Sequence, residues 1–286
     1  MERQHKPEWL KIKLPTGTNY SQVKKIVEGH HLHTICASGR CPNMGECWGA
    51  GTATFMILGE ICTRSCKFCA TFSGKPLAPD AEEPAKVAES VRLMGLKHVV
   101  ITSVDRDDLA DGGAAHWATT IREIRRVNPN TTLEVLIPDF DGRPELIALI
   151  ASEKPDIISH NLETVERLTP NVRSRAKYRT SLKVVGIIGS LGVVSKSGIM
   201  VGLGETAAEV LQCMDDLRAE GCEILTIGQY LQPTKKHLEV AEYLHPDQFE
   251  VFRKEGLARG FRMVESAPLV RSSYHAEKYI TEKDPT

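Results

Sequence analysis

The sequence predicts an α/β protein whose main body is a partial (β/α)6 TIM-like barrel with an N-terminal and a C-terminal extension. From Thr52 onward, short apolar runs alternate with amphipathic segments, which indicates parallel strands joined by right-handed helical crossovers. Proline or glycine marks most of the joints, as at Asn128-Pro129 and Glu220-Gly221. The length of 286 residues suits one α/β barrel, because such barrels commonly exceed about 200 residues as a single domain.

The strands and helices follow from these two patterns in chain order. The apolar runs predict strands at 54–58, 98–103, 132–137, 156–160, 198–201 and 223–227. The amphipathic segments predict helices at 83–94, 114–127, 144–152, 162–168 continuing into 180–190, 207–220 and 245–260. We therefore expect residues 1–50 to form an N-terminal extension, 51–260 the barrel and 261–286 a C-terminal tail.

Composition excludes some partners. Lys and Arg total 36 against 37 for Asp and Glu, so the chain lacks the basic field that a nucleic-acid partner would require. The N-terminal residues carry charges and a proline where an export signal would need an apolar core. The longest apolar run, 184–194, is too short to span a membrane. We expect a soluble, cytoplasmic protein without a membrane partner, whose clustered cysteines are metal ligands rather than disulfides.

Two cysteine triplets are the main functional clue. Cys62, Cys66 and Cys69 are spaced C-x3-C-x2-C directly after the first predicted strand, where a parallel barrel carries its chemistry. A second triplet, spaced C-x4-C-x5-C, lies upstream and consists of Cys36, Cys41 and Cys47. Zinc sites usually present C-x2-C pairs, whereas three thiolates on one loop match three corners of a cubane iron–sulfur cluster. Each triplet would leave one iron without a cysteine, and a zinc or purely structural site is the alternative.

The first triplet resembles the signature of the radical S-adenosylmethionine (radical SAM) enzymes. In such enzymes the open iron chelates the amino and carboxylate groups of S-adenosylmethionine. Phe68, between the last two cysteines, would then pack on the adenine, although a place in the hydrophobic core is an equal alternative.

Further segments make the resemblance narrower. The chain is similar to the lipoyl synthase family in segments that extend from Lys6 to about residue 278. These segments are KPEWLKIKLP, CPNMGECW, GTATFMILGEICTRSC, DRDDLADGGA, HNLETV, SGIMVGLGET, GQYLQPT and VRSSYHAE.

This resemblance implies two 4Fe–4S clusters and a reaction. The Cys62 triplet would bind a cluster and S-adenosylmethionine, and the radical formed there would remove hydrogen from C6 and C8 of a lysine-bound octanoyl chain. The Cys36 triplet would hold an auxiliary cluster, consumed as the donor of two sulfur atoms, with Ser273 of the RSSY stretch as its fourth ligand. A serine oxygen is a weak ligand for cluster iron, so it can leave when the cluster is taken apart. A solvated polar tail is the alternative for the Ser273 segment.

Candidate contacts to S-adenosylmethionine lie where several predicted strands end. Ser103 and Asp105 match the place where the superfamily holds the methionine amino group, and Asn161 and Glu163 are placed to bind the ribose. The remaining candidates are Arg173 or Arg175 for the methionine carboxylate, and Gly204 and Glu205 in a loop that approaches the adenosyl group. Helix capping and surface charge are the alternative for Asn161, Glu163 and the two arginines.

The resemblance also implies protein partners. These are octanoylated lipoyl-carrier domains, such as acyltransferase subunits of 2-oxo acid dehydrogenases and the glycine cleavage H protein, an electron donor such as flavodoxin or ferredoxin, and a cluster-assembly protein. Two other functions stay open at this point: radical sulfur insertion into a free, biotin-like precursor, and an iron–sulfur electron-transfer or scaffold protein without S-adenosylmethionine cleavage.

Overall fold

The structure is a computed structural model, and it describes residues 6–11, 25, 29, 33–35, 41, 43–49 and 52–273. Cys36 and the residues from position 274 onward lie outside the described residues, so the predictions made for them are not addressed below.

A single curved sheet organises the described chain. Its strands occur in the order β1-β2-β5-β6-β7-β8-β9-β10; β1 is antiparallel to β2, and every other neighbouring pair is parallel. A separate two-stranded ribbon consists of β3 and β4. The strands are β1 His33–Thr34, β2 Thr54–Ile57, β3 Ile61–Cys62, β4 Phe72–Ser73, β5 His98–Ser103, β6 Thr132–Leu136, β7 Ile157–Ser159, β8 Val194–Val201, β9 Ile224–Gln229 and β10 Met263–Ser266. Within the described residues no hydrogen bonds join the two edge strands, so the barrel is open on one side, as predicted.

Helices connect the parallel strands and cover the outer face of the sheet. They are α1 Met44–Gly49, α2 Glu83–Met94, α3 Ala114–Val127, α4 Pro144–Ser152, α5 Thr169–Val172, α6 Tyr178–Ser190, α7 Ala207–Ala219 and α8 Pro246–Ala258, with short 3-10 turns at Glu8–Leu10 and Phe140–Gly142. None of the helices in the described ranges combines the length and the hydropathy that crossing a lipid bilayer would require.

Local sequence explains where these helices begin and end. Pro84 lies in the first turn of α2, and Gly95 ends that helix in the left-handed conformation, with φ 60°. Thr206 and Glu209 form a capping box at the start of α7. In α3 the buried positions, which include Trp117, recur every three or four residues, so one face of the helix packs on the sheet.

Side chains alternate across the sheet and separate an apolar outer layer from a more polar interior. Phe55, Ile57 and Ile101 belong to the core formed with the helices. The interior contains the buried polar residues Glu134 and Lys196, together with a smaller apolar cluster around Val100, Ile157 and Ile224. A polar barrel interior is unusual for a packed core and indicates that it serves the site.

Three sequence predictions about secondary structure were wrong. The segment 162–168 is not a helix, because Glu163 forms an isolated parallel β-bridge with Ile199 of β8. Strand β8 begins at Val194, four residues earlier than predicted. The segment predicted as a tail from Phe261 contains β10, which pairs in parallel with β9 and adds a seventh parallel strand to the described sheet.

Candidate active site

The Cys62 loop lies immediately beyond the carboxyl end of β2. Leu58 and Gly59 turn the chain with φ values of 68° and 90°, and the Leu58 amide donates to the Glu83 carboxylate at 2.7 Å. The chain then enters β3, whose last residue is Cys62. Cys62 is buried and Cys66 and Cys69 are half-buried, so the three thiols sit at the boundary between the barrel and its mouth.

Protein groups surround the Cys62 sulfur. Its Sγ accepts from the backbone amides of Arg64 at 3.4 Å and Asp105 at 3.3 Å, and it lies 3.7 Å from Oδ2 of Asp105. Burial, followed by the negative charge of Asp105, raises the pKa of the Cys62 thiol to about 12. Burial also raises the pKa of the Cys69 thiol. Metal binding at these sulfurs must therefore displace protons.

Other strand-end loops fix the backbone of the Cys62 loop. The Lys67 amide donates to the Val172 carbonyl at 2.9 Å, and the Lys67 carbonyl accepts from the Leu238 amide at 3.1 Å. The Ser174 hydroxyl accepts from the Ser65 amide at 3.0 Å and lies 3.8 Å from the Cys66 sulfur. The loops that follow β7 and β9 thus position the cysteines.

Arg64 is the main electrostatic anchor of the Cys62 loop. Its guanidinium binds the Asp107 carboxylate through Nε at 2.9 Å and Nη2 at 2.8 Å, and the Asp139 carboxylate through Nη1 and Nη2, both at 2.8 Å. This pairing lowers the pKa of Asp139 and raises that of Arg64. Sequence reasoning missed the roles of Asp107 and Asp139. Because two carboxylates neutralise Arg64, its role is to hold the loop.

Five of the predicted S-adenosylmethionine contacts lie at or beyond the carboxyl ends of β5 and β7, namely Ser103, Asp105, Asn161, Glu163 and Arg173. Burial raises the pKa of the carboxyl groups of Asp105 and Glu163. Asn161 Nδ2 donates to Glu163 at 3.2 Å, whereas its Oδ1 is buried without a described partner. The Ser103 hydroxyl and the Arg173 Nε also have no hydrogen-bond partner in the described structure. Such orphaned polar atoms need a partner, and a polar small molecule in the mouth would supply it.

The remaining predicted contacts are engaged by the protein itself. Arg175 pairs with Asp141 at 3.2 Å and is half exposed. Both carboxylate oxygens of Glu205 accept backbone amides of its own loop, including that of Leu203 at 2.9 Å. Gly204 adopts φ 103°, a conformation that favours glycine. Glu205 and Gly204 therefore shape this loop.

Phe68 lies in the same loop as the cysteines. It is half-buried and is absent from the hydrophobic clusters found among the described residues. Packing of its ring on an adenine stays a prediction.

A second pocket brings together the predicted auxiliary ligands. Cys41, Cys47 and Ser273 line it, together with Arg271. Further lining residues include Thr54 and His98, the first residues of β2 and β5. The pocket therefore lies towards the amino ends of these strands, opposite the Cys62 loop. The two sites therefore lie at opposite ends of the same parallel strands.

The chain after β10 brings Ser273 to this pocket. The Gln229 amide donates to the Pro268 carbonyl at 3.2 Å, and Asn43 Nδ2 donates to the Leu269 carbonyl at 2.7 Å. At Gly228 a Cβ atom would collide with the Val270 carbonyl, so glycine permits the close approach of the two backbones. Residues 270–273 therefore run along the barrel interior towards the second pocket.

The donor atoms fit iron–sulfur clusters. In the ranges that the structure describes, no three Cys, His, Asp or Glu side chains converge on one point. A cubane binds each cysteine through a different iron, so its three thiols do not need to converge. The second pocket offers two described thiols and a hydroxyl, and the Cys62 loop offers three thiols. These two donor sets suit two clusters. Cys36, the third predicted thiol of the second pocket, lies outside the described residues.

Comparisons with known proteins agree with this arrangement. The sequence pattern of the radical SAM superfamily matches residues 56–217, and that of the N-terminal domain of lipoyl synthase matches residues 1–41. A lipoyl synthase of Phocaeicola vulgatus is 67% identical over 280 residues, which cover 98% of this chain and 99% of that protein. A lipoyl synthase of Treponema denticola is 58% identical, covering 97% of this chain and 96% of that protein.

Solved structures show the same fold at low sequence identity. Streptococcus suis SuiB bound to S-adenosylmethionine has a TM-score of 0.59 at 9% identity, covering 87% of this chain and 61% of that one. Methylornithine synthase has a TM-score of 0.57 at 11% identity, covering 88% and 87%. The fold, the two cysteine sites and the near full-length relatives lead to one conclusion: this chain belongs to the lipoyl synthase family of radical SAM enzymes.

Proposed function

We propose that the protein inserts two sulfur atoms at C6 and C8 of an octanoyl chain attached to a lysine of a lipoyl-carrier domain. The enzyme is a sulfur-inserting radical SAM enzyme, and the predicted sulfur source is the cluster held by Cys36, Cys41, Cys47 and Ser273. When bound, the two clusters and S-adenosylmethionine supply the radical chemistry and the sulfur.

The observation that carries this proposal is the second pocket. A cysteine loop at the mouth of a barrel supports radical chemistry in general and leaves the reaction open. Ser273 lies far from Cys41 and Cys47 in the sequence, yet all three line one pocket at the other end of the same strands. This combination supports a second cluster with an oxygen ligand, which suits a cluster that must be dismantled to release sulfur.

The side chains of the mouth have a different role in the proposal. Cys62, Cys66 and Cys69 hold the first cluster. The orphaned Oδ1 of Asn161 accepts a hydrogen bond from S-adenosylmethionine, and the Ser103 hydroxyl donates or accepts one. Phe68 packs on the adenine. None of these tasks requires a side-chain base, so the chain needs no catalytic triad.

The partners follow from the reaction. An octanoylated carrier domain is the substrate, an acidic or flavin-containing redox protein such as ferredoxin or flavodoxin supplies electrons, and a cluster-assembly protein supplies iron and sulfur. Thiols that serve as cluster ligands must stay reduced, which favours a reducing, cytoplasmic location.

The decisive experiment follows the mass of an octanoylated carrier domain incubated anaerobically with reconstituted enzyme, S-adenosylmethionine and a reductant. We expect two sulfurs to replace two hydrogens, and about eight irons per chain before turnover. In Ser273→Ala, cleavage of S-adenosylmethionine should continue while sulfur insertion falls strongly; in Cys66→Ala, both should stop. Ser152→Ala, an exposed helix serine, is the control. An unchanged carrier mass with the wild-type enzyme, or full insertion by Ser273→Ala, would contradict the proposal.

A further inference from the structure

A buried ion pair inside the barrel contacts the segment that carries Ser273. Lys196 of β8 and Glu134 of β6 have side chains that are 1% and 0% exposed. The Lys196 Nζ lies 2.8 and 2.9 Å from the two Glu134 oxygens, and Ser159 donates to Glu134 at 2.6 Å. The pair therefore bridges three neighbouring strands across the barrel interior.

The ammonium of Lys196 has a further acceptor that is not part of the sheet. Its Nζ donates to the backbone carbonyl of Ser272 at 2.6 Å. That carbonyl belongs to the peptide unit that joins Ser272 to Ser273. Because a peptide unit is planar, a hydrogen bond to its oxygen also fixes the direction in which Ser273 leaves it.

A second contact restrains the same residue through its side chain. Asn161 Nδ2 donates to the Ser272 hydroxyl at 2.7 Å. Ser272 is thus held through its carbonyl and through its side chain, and Ser273 follows it directly into the pocket lined by Cys41 and Cys47.

Stability alone does not explain the ion pair. Transferring two charges from water to a buried site costs several kcal/mol. Replacing such a pair by apolar residues of similar volume often leaves the stability of the fold unchanged or increases it. An ion pair at such a position is better explained by what it orients. Here the oriented group is the backbone next to Ser273.

We propose that Lys196, held by Glu134, is the positioning residue that presents the Ser273 hydroxyl to the second metal site. This inference rests on the proposed role of Ser273 as a cluster ligand. Lys196 does not touch the reacting atoms; it acts through the Ser272 carbonyl.

The test measures the lability of the second cluster without any turnover. Lys196→Met combined with Glu134→Gln removes both charges and leaves no buried ion unpaired. After anaerobic reconstitution, the rate of iron loss to a ferrous-iron chelator is followed by absorbance. We expect about four of the irons to leave about tenfold faster than in the wild-type protein, because removal of a group that orients a metal ligand typically weakens a site by about 10 to 100-fold. Cleavage of S-adenosylmethionine should stay within about twofold.

A matched variant separates positioning from general destabilisation. Arg125 and Asp156 form a more exposed ion pair, 2.7 Å apart, for which no hydrogen bond to residues 270–273 is found among the described residues. Arg125→Met with Asp156→Asn should leave iron loss unchanged. Equal acceleration in this control would overturn the inference.

A rescue variant tests whether the effect passes through position 273. A thiolate binds cluster iron more strongly than a serine oxygen does, so it depends less on positioning. Adding Ser273→Cys to the Lys196→Met, Glu134→Gln protein should restore slow iron loss, and failure of this rescue would refute the mechanism.

The single change Ser273→Ala separates the assignment of Ser273 as a ligand from the positioning role of Lys196. If it does not accelerate iron loss, the ligand assignment and the positioning role both fail. If it accelerates iron loss while the Lys196 and Glu134 changes do not, only the positioning role fails.

Discussion

Replacing Arg64 by methionine should destabilise the fold far more than the loss of an ordinary surface ion pair. The Arg64 side chain is 4% exposed and binds two carboxylates with four hydrogen bonds; the Asp139 side chain is 2% exposed. Methionine keeps most of the volume but leaves Asp139 buried without a cation. Breaking a buried pair from one side costs about 3–5 kcal/mol, so we expect a loss of that size in the free energy of unfolding.

Denaturant unfolding of the iron-free protein at neutral pH measures this loss, and iron content after reconstitution reports on the Cys62 loop. Arg92→Met is the matched control, since Arg92 and Glu89 form an exposed pair on α2 and should contribute at most about 1 kcal/mol. Adding Asp139→Asn to Arg64→Met should recover part of the loss, because the orphaned charge is then removed. If Arg64→Met were no less stable than Arg92→Met, the assignment of Arg64 as the anchor would be refuted.

Two further outcomes follow from single residues. Burial lowers the pKa of His160 to about 4, so as the pH falls the imidazole is protonated in the unfolded chain before it is protonated in the folded protein. The free energy of unfolding therefore decreases as the pH drops from about 6.5 towards 4, and about 2 kcal/mol of the decrease between pH 7.5 and pH 5 should be missing in His160→Gln. Identical pH profiles of the two proteins in denaturant unfolding would contradict this reasoning. In Gly228→Ala the new Cβ should push the Val270 backbone away and reduce the bound iron to about four per chain. In the control Gly189→Ala the new Cβ would make only ordinary contacts, so this variant should retain about eight irons. Full iron content in Gly228→Ala would show that the close approach is unimportant.

The parts of the fold that could be predicted depend on local signals. Helices α2, α3 and α4 have the predicted bounds, because the proline or glycine positions and the buried face that define each helix lie within or next to its own segment. The segment 162–168 carries a helical pattern as well, but pairing of Glu163 with β8 overrides it. Strand β10 was missed because it is only four residues long and depends on its pairing with β9.

The candidate site also contains residues that could be predicted from local sequence and others that could not. The cysteines and Ser273 belong to motifs that can be read in the sequence, and their roles as ligands stay a prediction. The Arg64–Asp139 and Lys196–Glu134 pairs join residues 75 and 62 positions apart, and no local pattern connects such partners. Only the strand order brings them together.

The way residues 270–273 enter the barrel has a consequence for how the protein matures. The contact from Asn43 to Leu269 spans 226 positions of the chain, whereas the contacts from the Cys62 loop to Asp105 span about 43. Closing so long a loop is entropically unfavourable until the strands in between have assembled. The contacts of the first cysteine site to Asp105 can therefore form on a partly folded barrel, and its contacts to Ser174 and Leu238 form later, whereas the second site is completed only by contacts that span nearly the whole described chain. We expect a folding intermediate that is able to hold one cluster and not yet the other, which would make the order of iron loading a property of the fold.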